Sequence, residues 1–371
     1  MNRKRTYLAG LTAVAAVASL ALVGCEGDRA DAPLLGPQTA DRPQESLTTG
    51  KAVPRFGHVV VANRGSGTIS VLNGANGDVV ETVDLPGPSP EPMYVVYAPR
   101  VPSVLVGDRA NSRVVEFDAR TFEVKRTVDT GAGVFHMWTD ELRNRQLWVN
   151  NDIDNTSTVI DPATMTVLET VPMPADLVMA GGKPHDVILD PMGDRAFVTM
   201  LVPGDNDYVV QFDTQTFQET ARQAVGKDPH VSLTRTNGML YVPCQNSDIV
   251  DVLRRDDLSR VTTLNVPGAH GAGMLQSGQT FYTTNLPGGG TDALFAIDTG
   301  TNQVVGDAAN SPFPVPHNIA VTQNGRRLFL THSGGTADKV SFYSISPSDP
   351  TPVLLGDVTV GLNPFGLAFV R

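Results

Sequence analysis

An all-β, seven-bladed propeller of four-stranded antiparallel blades is the fold class this 371-residue sequence predicts, and three observations predict it. A string made of an alternating strand, an Asp- or Asn-bearing turn and a second strand recurs seven times. Between its copies lies another hairpin whose turn is polar or contains Gly or Pro. No segment sustains a helical period, and 35 Gly with 27 Pro break any helix that might start, so a helical bundle is disfavoured. The 41% hydrophobic share is enough for a sizeable core, while 39 acidic against 28 basic residues, a net charge of −11, argues against nucleic acid as a partner.

Residues 1–24 do not belong to that pattern. A basic start (Arg3, Lys4, Arg5) precedes an uncharged apolar run from Leu8 to Val23 and the ending Leu22-Val23-Gly24-Cys25, which resembles the bacterial lipobox. The resemblance implies export, diacylation of Cys25 and cleavage before it, which would anchor the chain to a membrane in the cell envelope. Glu26 after the lipid site favours the outer membrane by the same analogy. Removing residues 1–24 takes away three positive charges and brings the net charge from −11 to −14. With Cys25 lipidated, Cys244 has no cysteine to pair with. Residues 25–54 carry four prolines and no apolar periodicity and read as a tether, with roughly 30 Å of typical reach.

The repeats fill residues 55–371. The first string occurs at Ile69–Val83, Val114–Val128, Val159–Leu168, Val209–Phe217 and Leu294–Val305, with weaker copies at Ile249–Val266 and Val340–Val360. The intervening hairpin is visible at Leu189–Val198, Leu233–Val242, Leu275–Phe281 and Val321–Leu330, where Asn-Gly in two of the turns supplies positive φ for a tight reversal. Together they give four short strands per unit at a propeller-like period. One blade cannot bury both faces of its sheet, so the array is one domain. The chain starts with a second-strand sequence, His58–Ala62, and ends with a lone first-strand sequence, Pro364–Val370, which would complete the N-terminal blade and leave no open edge.

Pro364-Phe365-Gly366-Leu367-Ala368-Phe369 and Val59-Val60-Val61-Ala62-Asn63 resemble the first-strand and Val-Tyr-Val-Ala-Asn strings of YVTN/YncE-like propellers of exported bacterial proteins. The resemblance covers residues 55–371 and implies the fold; the fold hosts many functions.

Lining up the first strands gives Pro92-Met93, Phe135-His136, Pro184-His185, Pro229-His230, Ala269-His270, Pro316-His317 and Pro364-Phe365, which puts five of the chain's seven histidines at one repeat position. First strands line the central channel, so the five imidazoles should converge at one channel mouth. Neutral imidazoles that converge offer lone pairs to a transition metal. His136, His185, His230, His270 and His317 are therefore candidate ligands, with Met93 as a sixth donor. A ring of hydrogen-bonded structural histidines copied by duplication is the competing reading. The second strands end in Asn63, Asp108, Asn151, Met200, Cys244, Asn285 and His332, on the same face. Met200, Cys244 and His332 would form a second ring there, and their softer donors lean towards copper, with iron or zinc as alternatives.

The arrangement is similar to the histidine rings of the nitrous oxide reductase propeller and of carotenoid-cleaving oxygenases, in arrangement only. Neither the adjacent histidine pair of the first nor the length of the second is present. Three functions stay open: metal binding for redox chemistry or metal handling, a non-catalytic propeller holding a protein partner on its loop faces, and a lactonase- or lyase-like hydrolase. The last needs an acidic channel residue, for which Asp186 and Asp108 are the candidates. Whether the chain is an enzyme stays open with them, and a monomeric propeller is expected. Asp152-Ile153-Asp154-Asn155 and Asp205-Asn206-Asp207 lack the glycine and distal glutamate of a calcium loop and read as turns. Trp138 and Trp148 are expected in the core.

Overall fold

In the computed structural model, which describes residues 57–346 and 348–371, seven four-stranded antiparallel sheets form a closed ring. Blade 1 joins the C-terminal strand Pro364–Val370 to His58–Asn63, Thr68–Asn73 and Val79–Asp84. Blades 2 to 7 follow in chain order from the inner strands Pro92–Ala98, Val134–Thr139, Lys183–Leu189, Ser232–Leu233, Ala269–Met274 and Pro316–Val321. The predicted fold class and its closure by the last strand are both present, with His58 opposite Val370 and Asn63 opposite Pro364. The leader, the lipidation site Cys25 and the tether lie outside the described residues. Among those described, no helix is long and apolar enough to cross a membrane.

Strand composition follows from position in the blade. Second strands such as His58–Asn63 and Ser103–Asp108 are buried at every residue, because a blade packs on each face, and they read as unbroken apolar runs instead of alternating ones. Outermost strands such as Val124–Asp129 and Thr166–Pro172 are largely exposed and carry Thr, Glu, Lys and Arg. Between the third and fourth strands the repeated acid builds an Asx turn. Asp118 Oδ1 accepts from the amides of Arg120 (2.9 Å) and Thr121 (3.1 Å), and Asp213 and Asp298 do the same. The turn then needs a left-handed residue, met by Phe122 (φ +57°), Met165 (+54°), Phe217 (+57°) and Leu258 (+60°). Phe122, Met165 and Leu258 are buried between blades, so the strained backbone is held by apolar packing.

The first acidic loop, Asp152 to Asn155, is a turn as expected, whereas Asp207 of the second is buried and opens the strand Asp207–Asp213. Asp152 pairs with Arg109 at 2.9 Å, Asp154 accepts from the Ala132 amide, and Asp207 pairs with Lys227 at 2.6 Å.

Candidate metal centre

Strand pairing fixes which first-strand residues are equivalent. Pro92, Pro184 and Pro316 stand opposite Asp108, Met200 and His332, Pro229 bridges to Cys244, and Ala269 and Pro364 face Asn285 and Asn63. In blade 3 the matching residue is Val134, opposite Asn151. The next residue around the ring is therefore Met93, Phe135, His185, His230, His270, His317 and Phe365. His136 is one residue further on, in the same slot as Tyr94, Asp186, Asn318 and Gly366. This corrects the expectation of five equivalent histidines: four occupy one position in consecutive blades, and the fifth reaches them from the next position. A signal for this was present. Gly133, Asp228, Gly268, Val315 and Asn363 each directly precede the strand start with positive φ, and aligning Gly133 with Gly268 matches Phe135, not His136, to His270.

The offset brings His136 inwards. In six of the seven blades the inner strand bulges just after its start, so consecutive side chains there both face the axis; the blade 5 strand keeps one register from Pro229 to Leu233. In blades 1 and 6 the second of these slots is Gly366 and Gly271. A Cβ on Gly366 would come 2.6 Å from the Tyr94 backbone, so the neighbouring strand leaves room for no side chain. The slot is thus filled by Tyr94, His136, Asp186 and Asn318, which project into a small vault under the ring.

The five imidazoles follow one another around the axis. Ring centroids lie 5.1 Å apart for His136–His185, 4.6 Å for His185–His230, 3.9 Å for His230–His270 and 4.8 Å for His270–His317. His136 also lies 5.2 Å from His230, across the arc. Consequently His136, His185 and His230 each offer a nitrogen within 4.8 Å of the other two. No other such group of His, Cys, Asp or Glu occurs among the described residues. All five histidines are buried, at most 4% exposed. The ring closes its end of the channel and is not an open mouth. Phe135 and Phe365 complete that end, with the guanidinium groups of Arg109 and Arg64 5.6 and 5.5 Å from their ring centres.

Burial sets the charge state. It pushes His185, His270 and His317 well below the ordinary histidine value, and neighbouring imidazoles add to the effect. His230 is lowered to about 3 by burial and by His136, against the opposing pull of Asp186. These four rings are neutral at pH 7, and each keeps a lone pair.

Carboxylates orient the cluster. Asp186 Oδ1 lies 2.7 Å from His136 Nδ1, so that nitrogen donates and Nε2 is the one left for another partner. Burial opposes ionisation of Asp186, yet His136 and the Val231 amide (2.9 Å) hold its pKa below the usual carboxylate value. The Val187 amide donates to Asp186 Oδ1 at 2.7 Å. Asn150 donates to the backbone carbonyls of both His185 and Asp186 at 3.0 Å and is itself held by Ser157. Asp228 approaches His185 Nδ1 at 3.4 Å, too poorly aligned for a hydrogen bond. His317 Nδ1 meets Ser333 Oγ at 2.7 Å.

Several ring nitrogens are left over. His136 Nε2, His185 Nε2 and both nitrogens of His230 are buried without a hydrogen-bond partner among the described residues. Each such group costs about 1–3 kcal/mol. A metal ion fits this donor set, because it engages lone pairs that nothing else satisfies. Tetrahedral coordination at about 2.0–2.1 Å needs nitrogens roughly 3.4 Å apart, so the rings must draw in by about an ångström.

Of the remaining predicted donors, Met93 holds the ring position in blade 2, between the blades of Phe365 and Phe135, and is fully buried. Met200 and Cys244 pack into interblade apolar clusters, where burial raises the Cys244 thiol well above its usual pKa. His332 is bonded through Nε2 to Ser341 Oγ (2.6 Å) and through Nδ1 to the Pro314 carbonyl (3.1 Å). The second ring is therefore packing and hydrogen bonding between strands, not a donor set on the channel. Asp108 belongs to that level and pairs with Arg113 at 2.9 Å, whereas Asp186 does face the channel, against His136 instead of its neighbour His185.

Below the ring the channel widens. The vault, about 80 Å³, is lined by Tyr94, His136, Asp186, His230 and Asn318, and under it lies a chamber of about 290 Å³. Both are bordered by the same seven residues, one from each blade: Val95, Trp138, Ile188, Ser232, Ala272, Ile319 and Leu367. Trp138 is thus part of a channel collar, while Trp148 is fully buried as expected. The chamber ends at the opposite face among the exposed Arg235, Gln276, Gln323 and Arg371.

Comparison with known proteins adds the fold and leaves the site to this chain. No family model and no curated protein matches. The structure is similar to a periplasmic gluconolactonase of Pseudomonas aeruginosa, at 19% identity and a TM-score of 0.67, over 85% of this chain and 99% of that one. It is similar to a putative 6-phosphogluconolactonase of Bacteroides uniformis at 18% identity and 0.66, over 85% and 100%. It also resembles hydrazine synthase of Kuenenia stuttgartiensis at 16% and 0.59, over 78% and 91%. At these identities the likeness is one of fold.

Proposed function

We propose that the protein binds a first-row transition metal through His136, His185 and His230, with His270 and His317 next in line, on a propeller exported and anchored at Cys25. The supporting observation is that His136, His185 and His230 are buried with nitrogens within 4.8 Å of one another, and that His136 Nε2, His185 Nε2 and both His230 nitrogens have no hydrogen-bond partner among the described residues. His136 is held with Nε2 towards the cluster by Asp186, the carboxylate–histidine arrangement that raises ligand basicity. An all-nitrogen set suits copper, zinc, iron or nickel, and the Irving–Williams order favours copper among divalent ions. The sulfur donors that leaned the sequence towards copper are not in the site, so affinity order alone carries that preference. A bound ion would supply Lewis acidity or one-electron chemistry; the chain's own contribution is to keep the imidazoles neutral, fix His136 and exclude water from one side.

Elemental analysis of protein purified without tags or chelators tests the reading. About one equivalent of copper, zinc or iron is expected. Protein that arrives metal-free and takes up none of these at micromolar concentration rejects it.

A second reading draws on the names of the fold neighbours and on the Asp186–His136 pair at the vault. His136 Nε2 could accept a proton from water attacking a lactone carbonyl, with Asp186 holding Nδ1–H. Hydrolysis of δ-gluconolactone by metal-free protein, lost in His136→Gln, would favour this reading over the first.

A further inference from the structure

We infer that the channel below the histidine cluster binds a small organic molecule with an uncharged, lone-pair-bearing head and an apolar body about the size of an aromatic ring, admitted from the face opposite the histidines. This deepens the metal reading and rests on it.

Three features define the ligand. First, direction: the five histidines with Phe135 and Phe365 close one end of the channel, while exposed polar side chains ring the other, so a ligand reaches His136 and His230 only through the chamber. Second, size: the vault of about 80 Å³ takes a small head and the chamber of about 290 Å³ takes a larger body. Third, polarity: between them stands the collar, apolar except for the Ser232 hydroxyl and the indole N–H of Trp138. A charged head would exchange its water there for at most these two neutral groups, and an ion poorly paired in apolar surroundings is far more costly than a neutral group. An uncharged head passes, then meets Tyr94, Asn318 and the open side of the metal cluster. A polyhydroxylated body is disfavoured at the collar end of the chamber, where its hydroxyls would face Val95, Ile188, Ile319 and Leu367; Thr139, Thr322 and Gln323 offer partners only further out. The ligand class therefore differs from the sugar lactone named for the fold neighbour.

The rim carries one device consistent with admission from this side. Arg235 of blade 5 reaches Glu141 of blade 3 at 2.5 Å, spanning the start of the loop after the blade 4 inner strand. Both side chains are about a third exposed, so the pair holds weakly and can part.

The test uses the full chain loaded with copper, 4-phenylimidazole as the probe and δ-gluconolactone as the contrast, read by calorimetry and by tryptophan fluorescence, to which Trp138 contributes. Metal content is measured on every sample. Micromolar binding of 4-phenylimidazole is expected, with δ-gluconolactone at least tenfold weaker. Ala272→Leu narrows the collar and should weaken the probe at least tenfold while copper content stays unchanged. Ser232→Leu, on another blade, should do the same, and protects the result if one variant fails to fold. Metal-loaded protein that ignores the probe, binds it equally in both variants, or prefers δ-gluconolactone overturns the inference. Protein that takes up neither copper, zinc nor iron overturns the metal reading, and this inference with it; the metal content tells the two failures apart.

Discussion

The seven ring positions divide into two arcs made by the same backbone device. Blades 4 to 7 present His185, His230, His270 and His317, while blades 1 to 3 present Phe365, Met93 and Phe135. Both arcs are buried. In the phenylalanine arc burial is the whole account: the aromatic rings pack edge to face with Tyr94 and are capped by arginines. In the histidine arc burial opposes protonation, and at His185 and His230 it leaves ring nitrogens without hydrogen-bond partners among the described residues, which stabilises nothing until a ligand engages them. The comparison teaches that one structural slot serves as core on one side of the axis and as a poised site on the other, and the difference lies in side-chain chemistry alone.

Breaking the poised arc should have the largest effect. His185→Ala with His230→Ala is expected to lower metal affinity by about a thousandfold or more, beyond the 10–100-fold that loss of an outer partner costs. Competition with a chromophoric chelator measures it, and an unchanged affinity would place the metal elsewhere. In the other arc, Phe365→Ala should leave metal affinity within about twofold and destabilise the fold by about 3–5 kcal/mol in urea unfolding. A matching fall in metal affinity would erase the distinction between arcs.

Acid should also separate them. The folded-state pKa of His230 is lowered to about 3, against 6.5 for the ordinary imidazole, and His185, His270 and His317 shift the same way. Between these values the unfolded chain binds more protons than the folded one, so stability is full above pH 6.5 and falls as pH drops towards 3. Each such histidine contributes about 1.4 kcal/mol per pH unit. Urea unfolding of metal-free protein from pH 7 to 4 should show a steep slope, which His270→Phe should make shallower. An unchanged slope would mean these rings are charged when folded.

Asp186→Asn should lower metal affinity by about 10–100-fold with the fold intact, since the amide no longer fixes the His136 tautomer. Met93→Leu should do least: a stability change under about 1.5 kcal/mol and no change in metal affinity. A loss of affinity there would restore the thioether to the site.

Much of this was legible in advance. The Asx turns, the Val-rich second strands and the split first blade each follow from local sequence, because turn chemistry and burial on two faces dictate residue type position by position. The sequence offers Asp186 and Asp108 as acidic channel residues; only Asp186 faces the channel, and its partner is His136 of the preceding blade, not the adjacent His185. The collar was not legible, and Trp138 was assigned to the core, because facing inward on an inner strand means packing at one height and channel lining at another.

The sequence by itself determined the repeat, the number of blades, the closing strand and the concentration of histidines near the axis, since all of these are periodic properties of the chain. Only the tertiary structure decided which histidines meet. The bulge at the start of the blade 3 inner strand lets a one-residue offset change a side chain's neighbours without taking it off the axis, so His136 joins His185 and His230 although it is not their equivalent. It also decided that Met200, Cys244 and His332 stay apart from them, because lying on the same face of a blade does not fix the distance to the axis, and donors must come within a few ångströms to share an ion.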